Sequence, residues 1–136
     1  MESSTISFEV QSQLPFEQVI EQLTAALKEE GFGILTRIDV HSTLKEKIGA
    51  DFRQYAILGA CNPKLAYTAL EHKSEVGLML PCNITVEDDD RGGSIIRVGD
   101  PEAMLKGFGL DQDEVFSTVG HEARTRLERV AKKLQT

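Results

Sequence analysis

The stretch "VGLMLPCNITVEDDDRGGSIIRVGD", Val76 to Asp100, decides the fold. Two apolar runs flank the acidic, glycine-bearing tip "DDDRG". Extended arms around turn formers are the pattern of a β-hairpin. The first arm reads as extended from Val76 onward, and Pro81 marks a bulge or an edge, because proline cannot donate to a ladder. After the hairpin, Asp100-Pro101 gives a cap-then-proline signature for a short helix ended by Gly107. Asp111-x-x-Glu114 resembles a capping box for a last, long helix. Val115, Val119, Ala123, Leu127, Val130 and Leu134 line one face of that helix. An antiparallel hairpin followed by a long helix argues for an α+β two-layer sandwich over a doubly wound parallel sheet.

The segments before Val76 fit the same architecture. Ile6, Phe8 and Val10 alternate in a half-buried strand beginning at Thr5. Pro15 suits a first helical position, and Phe16, Val19, Ile20, Leu23 and Leu27 recur at helical spacing up to the C-cap candidate Gly31. "GILTRIDV" reads as a strand with Ile34, Thr36, Ile38 and Val40 on one face, and Leu44, Ile48 and Gly49 outline a short helix. "FRQYAILGA" is the next strand. Asn62 and Pro63 then cap a helix whose buried stripe is Leu65, Ala66, Ala69 and Leu70. The expected order is β-α-β-α-β-α-β-β-α with a long C-terminal helix, giving a mainly antiparallel sheet with helices packed on one face.

A chain of 136 residues suits a single domain, 1–136, able to bury one core. Apolar residues at 40% and charged residues at 27% are ordinary globular values. A net charge of −7 and a pI near 5.0 argue against nucleic-acid backbones and anionic membranes as partners, since both require clustered lysine and arginine. "MESSTISFEV" carries no basic and apolar leader pattern, and no run approaches the ~20 apolar residues of a membrane span. The expected location is cytoplasmic, where Cys61 and Cys82 stay as thiols.

"GFGILTRIDVHSTLKEKIGADFRQYAILGACNP" followed by "VGLMLPCNITV" resembles the bacterial and archaeal family called domain of unknown function 302. The likeness runs from about Ser7 to Pro101, and the blocks around Ala60 to Pro63 and Leu80 to Asn83 are its most specific part. It implies a fold similar to the TATA-binding-protein-like α+β class and a homodimer. It implies no DNA binding, because the charge is wrong. The family has no settled activity, so it carries over no catalytic residue and no cofactor.

The Cys61-Asn62-Pro63 corner is where chemistry would sit. Cys61 ends a buried strand one residue before a helix cap, and the first amides of that helix, at Lys64, Leu65 and Ala66, begin without intrahelical partners. They would stabilise a thiolate, lowering its pKa below ~8.5, or cradle an anionic ligand group. The simpler explanation leads: Cys61 is a small apolar side chain at a tight junction, capped by Asn62. Cys82 in the second Cys-Asn block is a candidate neighbour, but the spacing is not C-x-x-C. His41, His72 and His121 show no ligand spacing, so no metal site is expected, and "EDDDRGG" lacks the pattern of a calcium loop.

The functional expectation is a homodimeric small-ligand-binding module. Cys61, Asn62, Lys64, Cys82 and Asn83 form its site, in a pocket between sheet and helices beside Leu78 to Leu80, for a small anionic or apolar ligand. One alternative is a thiol-dependent redox protein or enzyme using Cys61 with Cys82. Another is a structural or assembly protein, to whose exposed face Phe108 or Phe116 would belong. Whether a reaction is catalysed is left open by the residues.

Overall fold

The computed structural model describes residues 1–4 and 6–135. Its strands are β1 (Glu2–Ser3), β2 (Ser7–Ser12), β3 (Gly33–Asp39), β4 (Tyr55–Cys61), β5 (Cys82–Asp88) and β6 (Ser94–Gly99). Its helices are α1 (Phe16–Glu29), α2 (Val40–Ile48), α3 (Pro63–His72), α4 (Pro101–Gly107) and α5 (Glu114–Leu134). The strands form one antiparallel sheet in the order β1-β2-β6-β5-β4-β3, so the α+β architecture with its long last helix stands. The expected strand start at Thr5 lies outside the described residues.

Alternation explains the main core. Phe8, Val10, Leu58, Ile84, Val86 and Val98 point to one face and are buried there. They meet Val19, Leu23 and Leu27 of α1 and Leu127, Val130 and Leu134 of α5 in one cluster. The opposite face carries a polar row: Arg97 pairs with Glu9 and Glu87, and Arg53 donates from Nε to Glu87 at 2.6 Å. A smaller cluster of Ala69, Val76, Leu105 and Phe116 joins α3, α4 and the first half of α5.

The hairpin of β5 and β6 forms as read, with Asp88 opposite Ser94. The arm before it differs. Ser74–Met79 is a 3₁₀ helix, the Leu80–Pro81 peptide is cis, and the strand starts only at Cys82. Val76 and Met79, three apart, turn toward the small cluster, while Leu78 is 89% exposed. Three-residue spacing was the overlooked signal; a strand would have put Val76 and Leu78 on the same side.

Other boundaries and faces also shift. β3 is an edge strand with a register irregularity between Ile34 and Thr36, so Ile34, Thr36 and Ile38 form no buried face, and Val40 opens α2. Pro15 is the N-cap of α1 and not its first helical residue. The cap of α5 is Asp113, whose side chain accepts from the amides of Val115 and Phe116, so Asp111 has no capping role. Leu70 is exposed and only Ala69 of the α3 stripe is buried, because α3 rests on the small cluster by one narrow edge. On α5 the buried face runs through Phe116 and Gly120, with Val115 and Val119 only half-buried.

Candidate functional site

Asn62 is the local organiser of the corner. Its side-chain oxygen accepts from the Leu65 amide at 3.2 Å, and its nitrogen donates to the Glu30 carbonyl at 3.4 Å. The Ala66 amide donates to the Asn62 carbonyl at 2.9 Å. Asn62 thus starts α3 and fastens it to the end of α1. Gly31 follows Glu30 with φ +82°, and a Cβ there would sit 3.1 Å from the Asn62 nitrogen, so the chain needs glycine for both reasons. Of the three amides expected to be free, those of Leu65 and Ala66 are partnered by Asn62, leaving little of an anion cradle.

Beneath this corner lies a cavity of about 90 Å³. It borrows walls from both hydrophobic clusters: Ala60 and Phe32 on one side, Leu105 and Phe116 on the other. Cys61, Asn62, Cys82 and Asn83 of the expected site all line it, whereas Lys64 is exposed and outside the wall. Leu80 lines it too; Leu78 points to solvent. Met79, within the expected Leu78 to Leu80 stretch, lines it as well, whereas the sequence reading missed Met104, Leu105 and Phe116 and placed the last outside the helical stripes. Their contribution depends on how α4 folds back over α5, where a Cβ on Gly120 would meet Leu105 Cδ1 at 2.5 Å. Phe108, by contrast, is 73% exposed.

Both cysteines are free thiols. Ala60 stands opposite Cys82 on the β4–β5 ladder, so Cys61 is one residue out of register with it. That offset is not the directly opposed pairing that brings two Cβ atoms to the roughly 3.5–4.5 Å a disulfide needs, although both residues line the same cavity. Burial pushes the Cys61 thiol up, against the expected lowering by the helix N-terminus. Cys82 is pushed up to about 11, first by burial and then by the charge an ionised Cys61 would place beside it. Both are protonated at neutral pH.

The histidines lie apart and each has its own partner. His41 Nδ1 receives the Tyr55 amide at 3.1 Å, His72 Nε2 lies 2.9 Å from Asp113, and His121 Nδ1 lies 2.8 Å from Glu102. Among the described residues no three His, Cys, Asp or Glu side chains gather where they would hold a metal ion. The acidic tip closes on itself: Asp89 Oδ1 accepts from the amides of Arg91 at 2.7 Å and Gly93 at 2.9 Å. Among the described residues no helix is long and apolar enough to cross a membrane.

Comparison with known proteins places this architecture. The crystal structure of an uncharacterized conserved protein DUF302 from Bacillus stearothermophilus is 28% identical, with a TM-score of 0.85 over 97% of this chain and 100% of that one. No curated protein matches. The sequence model of the domain of unknown function DUF302 matches residues 8–134, reaching well past Pro101 to include α4 and α5. The chain belongs to the DUF302 family.

Proposed function

We propose that this chain is a binding module that takes a small apolar group into the cavity under α3, α4 and α5. The observation that carries the reading is the composition of the wall. Ala, Val, Leu, Phe, Met and Cys side chains dominate it, and no lysine, arginine or histidine contributes among the described residues. Half-buried, mostly apolar concavities with a few polar groups at the rim are where small ligands bind. Of the two ligand types expected from sequence, the apolar one is favoured. An anion would find no cation, and the Leu65 and Ala66 amides are already engaged. At about 90 Å³ the space suits one ring or a short chain and not a whole metabolite, for which about 300 Å³ or more is usual.

A thermal-shift panel of small neutral apolar compounds beside small carboxylates and phosphates tests this. Neutral compounds should raise Tm by several degrees at saturation, by mass action on the folded state. Stabilisation by the anions alone would overturn the reading.

The thiol alternative is disfavoured by the raised pKa of both cysteines, since the thiolate is the nucleophile. The homodimer implied by the family, in a cytoplasmic setting, is supported by exposed Leu35 (68%) and Ile38 (50%) along the open β3 edge. Light scattering at micromolar concentration tests it, and a monomer would count against it.

A further inference from the structure

The sulfur atoms of this chain are not scattered. It has two cysteines and three methionines, and apart from Met1 all four sulfur-bearing residues line the one cavity: Cys61, Met79, Cys82 and Met104. Four different elements bring them there: β4, the 3₁₀ segment, β5 and α4. Two aromatic rings, Phe32 and Phe116, complete the wall. Both thiols are held neutral, so the sulfurs act as polarizable apolar surface and not as charges.

Such a wall discriminates between apolar ligands of equal size. Divalent sulfur attracts the edge and face of an aromatic ring at about 5 Å, with a gain of a few tenths to 1.5 kcal/mol per contact that a saturated ring does not receive. Aromatic rings add edge-to-face contacts of their own. An engineered apolar cavity of about 150 Å³ stays dry and binds benzene, so a single ring is the most that this smaller space takes.

We infer that the ligand of this cavity is a small molecule presenting a single aromatic ring, selected over saturated groups by the Met79, Met104, Cys61 and Cys82 sulfurs and the Phe116 ring. The inference rests on the apolar-pocket reading above and specifies its ligand class.

The test compares toluene with methylcyclohexane, which share a carbon skeleton, by calorimetric titration of the full chain. Each affinity is divided by that compound's water-to-alkane partition coefficient, so that transfer from water cancels. The corrected affinity should be about three- to tenfold higher for toluene. Replacing Met79 and Met104 together by leucine conserves volume and should bring the ratio toward one while methylcyclohexane still binds. In the wild-type chain, toluene should also move the ε-methyl resonances of Met79 and Met104 by ring current, with Met1 unmoved; this readout stands even if the double variant fails to fold. Equal corrected affinities, or unmoved methionine methyls in the presence of bound toluene, would overturn the inference and leave the apolar pocket intact. Failure of both compounds to bind would overturn the pocket and the inference together.

Discussion

Met104 lies directly over Gly99: a Cβ added to Gly99 would stand 2.8 Å from the terminal methyl of Met104. The end of β6 and the α4 wall of the cavity are therefore in contact with no room between them. Gly99→Ala should displace the Met104 tip, a flexible side-chain end, and crowd the Asn83 carbonyl at 3.1 Å, at a folding cost of about 1–3 kcal/mol. The Met104 ε-methyl resonance should shift, and affinity for neutral apolar probes should fall several-fold. A variant with unchanged affinity would place Met104 outside the ligand's reach.

Asn62 predicts a stability effect separable from binding. Asn62→Ala removes the cap on Leu65 and the bond to Glu30, and should cost about 1–2 kcal/mol in urea denaturation. Asn62→Asp keeps the capping oxygen and should recover roughly half of that loss. Equal losses in the two variants would mean that the bond to Glu30 matters more than the cap.

Cys82 should make stability fall in alkali. Its folded pKa of about 11 lies above the ordinary 9.0, so the native state holds a proton that the unfolded chain has released. Stability from this group is complete below about pH 9 and is lost as pH rises toward 11, by an amount on the order of 2 kcal/mol. Denaturation across that range should show the fall in the wild type and a smaller one in Cys82→Ala. At pH 7 both cysteines should alkylate far more slowly folded than in urea. Rapid labelling of folded Cys61 would revive the thiol alternative.

Asp113 gives the opposite slope in acid. The His72 ring and the Phe116 amide hold its carboxylate at about 2, below the ordinary 3.8. Its stabilising contribution is present above about pH 4 and disappears as pH falls toward 2. Asp113→Asn, which keeps a capping oxygen, should flatten the stability profile between pH 4 and 2. A profile identical to wild type would show that the pairing adds nothing to the native state.

Much of this architecture is legible in the chain. Period-two alternation marks β2, β5 and β6, and the pairs Asn62-Pro63 and Asp100-Pro101 mark the starts of α3 and α4, because each signal is local. What escaped reading is nonlocal. Edge placement removes the buried face from β3, and a 3₁₀ turn replaces the first part of the expected arm because Val76 and Met79 find their partners on α3 and α5. The strand-side half of the cavity, Cys61 with Cys82, was visible as a repeated Cys-Asn pair. The helical half, Met104 and Phe116, depends on the packing of α4 over α5 at Gly120, which no spacing announces.

Crystals held under xenon pressure test the central claim most directly, because xenon enters dry apolar cavities of this kind. The account predicts an anomalous peak among Ala66, Met79, Met104 and Phe116, lost in Ala66→Leu, where the added side chain fills the space. Well-diffracting wild-type crystals with no xenon at that position, or with ordered water there instead, would contradict it.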